Sequence, residues 1–244
     1  MQFSDQGSFY SDNYLYVVGG YEQDYAAKDT TFRIPTDSME DGLTTETMAP
    51  LADVRGDIHV VVLDDFAYTA GGYTHEDGHG GFCVPHSSTE RYDIKNNVWM
   101  TIDDLDTGRA DKALVALDGR IFALGGETKE TDLCSGDVAE YTMALNDVEV
   151  LEDPHKDESH WHVVADAPTR VFRFTGSHYP PTRSIYTFGG QKFYNPSCEC
   201  FATSDEITKY VFVEEAESSP ANSVSFSKVV SSAIGIIALF QMIY

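Results

Sequence analysis

Positive charge is scarce in this chain. Its 244 residues hold 16 lysines and arginines against 40 aspartates and glutamates, a formal net charge of −24. Such a surface repels phosphate backbones and anionic headgroups, so nucleic acid is not an expected partner; basic proteins, cations and polyhydroxylated ligands stay open. The ordinary consequence of the charge is solubility. Local signatures of chemistry are also missing: no EF-hand loop, phosphate-binding glycine loop or nucleophile elbow occurs. The start, Met1 to Asp5, has no basic stretch followed by an apolar one, so no secretory leader is expected. No usable Asn-x-Ser/Thr acceptor occurs, because Asn195 precedes Pro196.

What is present is a repeat. Short runs rich in β-branched and aromatic residues end at a glycine pair four times: Tyr14 to Val18 before Gly19-Gly20, Phe66 to Ala70 before Gly71-Gly72, Ile121 to Leu124 before Gly125-Gly126, and Ser184 to Phe188 before Gly189-Gly190. The first glycines are 52, 54 and 64 residues apart, and Arg55, Arg109 and Arg173 each lie 16 residues before one. A period near 50 with strand signals marks a propeller of four-stranded sheets. Around these landmarks the second repeat shows strands at His59 to Leu63, Phe66 to Ala70, Thr89 to Ile94 and Val98 to Ile102. The third has Asp118-Gly119, a strong hairpin signal, between two apolar runs, then strands near Val148 and Trp161. Repeats one and four supply about three strands each. Trp99 and Trp161 have the size and amphipathic character to fill the space between adjacent blades.

The glycine pairs, Tyr92-Asp93 seven residues before Trp99, and the arginines together resemble the kelch repeat over residues 12 to about 213. There are departures: Phe3 stands at the arginine offset of repeat one, Leu151-Glu152 replaces Tyr-Asp in repeat three, and repeat four has Tyr210-Val211 with no tryptophan after it. The resemblance implies an all-β, kelch-like β-propeller with about four blades of four-stranded antiparallel sheet, with repeats near 12–53, 54–107, 108–168 and 169–213. Kelch propellers generally close with more than four blades. The expectation is therefore an incomplete ring starting partway through a repeat, a fragment of a larger propeller, with a compact four-blade ring as the alternative.

All four cysteines fall in the loop after a glycine pair: Cys83, Cys134, Cys198 and Cys200. Neighbouring blades bring such loops together, so disulfides are expected, with three pairings open. They would place the domain outside the cytosol. His75, His79, Cys83 and His86 suit zinc by type but match no closed spacing, so a polar loop is the better reading and no metal or cofactor is expected. The long loops 73–88, 127–147 and 191–206 share one face with the starts of first strands. That face, with Tyr73, His75, His79, His86, Arg55, Arg109 and Arg173, is the candidate binding face for another protein. The ordinary alternative for the arginines is pairing with local carboxylates that holds blades in register. Residues 214–228 form a polar linker, and the charge-free run 229–244, preceded by small residues, has the order of a lipid-anchor signal and borders on membrane-span length. The expected function is a non-enzymatic interaction or ligand-binding scaffold, tethered to a membrane or extracellular. A galactose-oxidase-like propeller enzyme and a cytosolic adaptor are the alternatives.

Overall fold

The computed structural model describes residues 4–23, 26–37, 44–74, 85–129, 142–214 and 224–233, with backbone only for 212–214 and 224–233. Four four-stranded antiparallel sheets follow one another along the chain, each in the order of its strands in sequence. Blade one is β1 (Gly7–Ser11), β2 (Tyr14–Val18), β3 (Thr31–Pro35) and β4 (Glu46–Thr47). Blade two is β5 (Val61–Leu63), β6 (Phe66–Ala70), β7 (Thr89–Asp93) and β8 (Val98–Ile102). Blade three is β9 (Ala113–Leu117), β10 (Arg120–Leu124), β13 (Asp147–Leu151) and β14 (Trp161–Asp166), and its second and third strands are joined through a ribbon of β11 (Glu127–Lys129) and β12 (Thr142–Ala144). Blade four is β15 (Thr175–Tyr179), β16 (Ser184–Phe188), β19 (Glu206–Glu214) and β20 (Val224–Ala233), with the ribbon β17 (Gln191–Asn195) and β18 (Cys200–Thr203) in the same place.

The blade count and the glycine-pair strands match the sequence reading, with two additions. Blade one has its first strand, β1, joined to β2 by a two-residue turn in which Asp12 and Asn13 both have positive φ. That is a primed turn, whose twist suits a tight hairpin. Blade four gains its outer strand from β20, which pairs with β19 from Glu206↔Ala233 to Glu214↔Val224. Part of the expected linker, and residues 229–233 of the expected membrane segment, are therefore sheet. A chain segment cannot be both an outer blade strand and a membrane-spanning helix. Among the described residues no helix is long and apolar enough to cross a membrane.

The core lies between blades. Phe9, Tyr16 and Val18 of blade one pack on Ala67, Tyr92 and Trp99 of blade two. Tyr68 and Ala70 of blade two meet Leu114, Ile121 and Trp161 of blade three. Phe122, Leu124 and Val150 of blade three meet Phe174, Ile185 and Tyr210 of blade four. The tryptophans do what their spacing predicts, and each makes the same bond to the preceding blade: Trp99 Nε1 donates to Thr31 Oγ1 and Trp161 Nε1 to Thr89 Oγ1, both at 3.0 Å.

The glycine pairs are where one blade is tied to the next. Gly20, Gly72 and Gly126 donate their N–H groups to the carbonyls of Arg55, Arg109 and Val171 of the following blade, at 2.8, 2.9 and 2.9 Å. A Cβ at Gly71, whose φ is +66°, would stand 2.1 Å from the Arg109 oxygen. Only glycine allows that approach and that backbone.

Candidate functional site

The same inter-blade bonds decide which residues are equivalent. Gly56 bridges Tyr73, Ala110 bridges Glu127, Phe172 bridges Gln191 and Ser4 bridges Tyr21. Arg55, Arg109 and Val171 therefore occupy one structural position, and Asp5, Asp57, Asp111 and Arg173 occupy another, all four with φ between 50° and 55°. The equal sequence offset of Arg173 is misleading. The β15–β16 hairpin carries an extra turn of 3-10 helix, Pro180–Thr182, which displaces the count by two residues.

Arg55 and Arg109 are fully buried and belong to blade cohesion, not to an exposed binding surface. Arg55 donates through Nη1 to the carbonyls of Gly71 and Ser88 (both 2.9 Å) and through Nη2 to Glu90 Oε1 (2.8 Å). Arg109 repeats this with the carbonyl of Gly125 (3.0 Å) and with Glu149 and Asp147. Each glutamate also accepts from the preceding link: Glu90 from the N–H groups of Ala52 and Asp53, Glu149 from those of Asp106 and Thr107. In blade four, Val171 and Thr208 replace both partners at once. This agrees with the cost of a buried unpaired charge. The sequence reading missed Glu90 and Glu149 as partners, because Arg173 stands at the same offset in repeat four, where Thr208 takes the place of the glutamate.

The first strands β5, β9 and β15 touch in succession and line the centre. At their starts the backbone steps from blade to blade: Asp57 N–H donates to Asp5 O, Asp111 N–H to Asp57 O and Arg173 N–H to Asp111 O. Around this spiral stands a polar cluster that the sequence reading missed. Tyr21 donates to Asp57 Oδ2 (2.8 Å), Tyr73 to Glu127 Oε1 (2.7 Å), and Arg173 Nε to Asp111 Oδ2 (2.8 Å). Burial, with Asp111 nearby, pushes the Asp57 carboxyl up to about 7, and burial also raises Asp111 and Glu127. Burial raises the hydroxyls of Tyr21 and Tyr73, with the charges of Asp57 and Glu127 adding to it. Among the described residues no three His, Cys, Asp or Glu side chains are grouped to hold a metal ion.

Of the other candidates, Tyr73 is fully buried and Arg173 half-exposed. His86 is partly buried, its N–H tied to the Gly72 carbonyl at 2.7 Å and its imidazole pushed down by burial. His75, His79, Cys83 and Cys134 lie outside the described residues. Cys198 and Cys200 form a disulfide with each other across the end of the β17–β18 ribbon, Cα atoms 5.2 Å apart.

The β11–β12 and β17–β18 ribbons stand next to each other through β12 and β17. Between them and the link from blade three to blade four lies a groove of about 540 Å³, lined by Met143, Asn146, Thr169, Arg170, Lys192 and Phe193 among others. Arg170 Nη1 donates to the Ala144 carbonyl (3.3 Å), and Lys192 pairs with Glu206 (3.4 Å). Met143 and Phe193 are exposed, the latter by 62%.

No protein-family model matches the chain. It is 26% identical over 133 residues to mouse Kelch-like protein 9, covering 54% of this chain and 21% of the relative. It is 36% identical over 78 residues to mouse Kelch-like protein 26, covering 31% and 12%, and 29% identical over 182 residues to alpha-scruin of Limulus polyphemus, covering 72% and 17%. The chain thus spans about a fifth or less of the length of these relatives. The solved structure of YjhT superposes with a TM-score of 0.68 at 11% identity, over 97% of this chain and 67% of that one. Four sheets stapled through glycine pairs, together with the similarity to Kelch-like proteins, support a four-bladed β-propeller of kelch-like repeats.

Proposed function

We propose that this propeller is a protein-interaction scaffold whose partner docks on the long-loop face, at the groove between the two ribbons. The observation that carries this is the pair of exposed apolar side chains, Met143 and Phe193, held on paired ribbons above a rigid sheet. Exposed apolar groups in a concave, framed setting are what partners bury. The similarity to Kelch-like proteins and alpha-scruin is consistent with a scaffold rather than a catalyst. Phe193→Asp combined with Met143→Asp is expected to remove the associated proteins recovered with the chain by affinity mass spectrometry, while the fold is kept. An unchanged set of associated proteins would refute the assignment of this face.

An oxidising compartment is the second reading, favoured by the Cys198–Cys200 bridge, since disulfides persist outside the cytosol. Alkylation of the isolated protein without reduction is expected to leave Cys198 and Cys200 unlabelled, and labelling of both would remove that reading. A membrane tether through 229–244 competes with β20 for residues 229–233.

A further inference from the structure

The β17–β18 ribbon ends in a Cys-Glu-Cys turn that is closed twice over. Cys198 and Cys200 are bridged with one residue between them, and both side chains are exposed. Hydrogen bonds close the same turn without the bridge. The Cys198 N–H donates to the Asn195 carbonyl (3.3 Å), the Ser197 N–H donates to Asn195 Oδ1 (3.0 Å), and Asn195 pairs with Cys200 across the ribbon. Below the turn, Phe201 packs edge-on against Tyr194 and against the buried Phe172, with ring centroids 5.4 and 5.1 Å apart. These contacts fasten the ribbon to the propeller.

Two features set this bridge apart from a structural disulfide. The stabilisation that a cross-link gives by restricting the unfolded chain grows with the length of the loop it closes, and here the loop holds a single residue. That residue, Glu199, has φ +52°, a left-handed backbone that a residue with a Cβ adopts at a cost. The bridge therefore adds little to the stability of the fold, and it stands at a ribbon tip where a thiolate reaches it. Exposed bridges of this kind are the ones that exchange.

We propose that Cys198 and Cys200 form a thiol–disulfide exchange site, opened by a dithiol reductant and closed again by a disulfide, with the propeller folded throughout. A thiolate of the dithiol attacks one cysteine Sγ, the Sγ–Sγ bond breaks, and the other cysteine leaves as a thiolate that takes up a proton. The second thiol of the reductant, deprotonated, then attacks its own partner sulfur in the mixed disulfide and releases the first cysteine, which is protonated in turn. In sum the bridge gains two electrons and two protons, and the dithiol is oxidised to its disulfide. The site rests on the same bridge as the compartment reading. That reading requires only that the bridge forms, whereas exchange requires that it open while the propeller stays folded.

Both cysteines lie on one tryptic peptide, 193–209, which carries neither Cys83 nor Cys134, so differential alkylation with mass spectrometry reads the site alone. Full-length protein, native or in urea, is equilibrated with graded ratios of reduced to oxidised dithiothreitol. The ratio at half-opening is expected to agree between the two states within about tenfold, whereas a bridge that supports its fold is protected in the native state by about thirtyfold or more. Protection beyond tenfold would overturn the proposal and leave the compartment reading standing. Alkylation of both cysteines before any reductant is added would remove the two together. Cys200→Ser, incubated with oxidised glutathione, is expected to gain one glutathione on peptide 193–209 through Cys198. A native Cys200→Ser protein that gains none would show the sulfur to be out of reach and would equally overturn the proposal.

Discussion

Lys112 is the residue whose replacement tests the packing most directly. It is fully buried, and its Nζ has no hydrogen-bond partner. Its Cβ lies against Gly126 where Ile58 and Phe174 lie against Gly72 and Gly190 in the neighbouring blades, so blade three has a cation where its neighbours have apolar side chains. Burial lowers the ammonium from 10.5 to about 7, with the cations of Arg55 and Arg109 adding to the effect and Asp111 and Asp57 opposing it. At 1.36 kcal/mol per unit, that depression is a penalty of about 5 kcal/mol on the charged form. The folded pKa is below the unfolded one, so between them the unfolded chain binds more protons and stability rises with pH. From near pH 7 to near pH 9.5 Lys112 contributes a rise of about 3 kcal/mol. Lys112→Met removes the titrating group and keeps the length of the side chain. Urea denaturation at both pH values is expected to show a variant more stable than wild type near neutrality, with the gap shrinking by about 3 kcal/mol at the higher pH. A gap that does not change with pH, or a variant less stable at both, would refute the reasoning.

Three further outcomes follow from the same interior. Asp57, raised to about 7, stabilises the fold fully below the ordinary carboxylate pKa and loses that contribution as pH rises toward 7, so thermal melting is expected to be higher near pH 5 than near pH 7, and Asp57→Asn to flatten that slope. Arg109→Val leaves the buried Glu149 without a counter-ion and is expected to cost about 3–5 kcal/mol, while Glu149→Thr leaves Arg109 with Asp147 as its remaining ion pair and is expected to cost less. The double variant, which copies the Val171 and Thr208 of blade four, is expected to lose about 2 kcal/mol less than the sum in a double-mutant cycle; additivity would deny the pair. Gly71→Ala drives a Cβ into the Arg109 carbonyl and is expected to cost several kcal/mol, whereas Gly189→Ala, at a similar φ but meeting only the Ser204 oxygen at 3.4 Å, is expected to cost about 1 kcal/mol by chemical denaturation. Equal losses would show that φ alone, not the next blade, fixes the glycine.

The legible parts of this protein are those in which each repeat is governed by its own neighbourhood. The glycine pairs were visible because the same collision recurs wherever one blade passes its carbonyl to another. Trp99 and Trp161 were visible because they fill the same gap. Repeat four's missing tryptophan was visible as a departure, but its missing Arg–Glu pair was not. Counting by offset failed at Arg173, because two inserted residues in a hairpin change the count without changing the fold. The end of blade four's outer strand was hidden by composition: the uncharged run from 229 suits a sheet and a membrane equally well, and only pairing with β19 tells them apart. The cysteine loops allowed three pairings, and the short turn of one ribbon joined Cys198 to Cys200.

The sequence by itself determined the blade, its period and its apolar interior, since these depend on local strand pattern and on steric limits that recur at each glycine pair. The tertiary structure alone decided which arginines are buried and how tyrosines and carboxylates meet at the centre. Those depend on what stands beside each blade, and a linear chain does not record its neighbours in space.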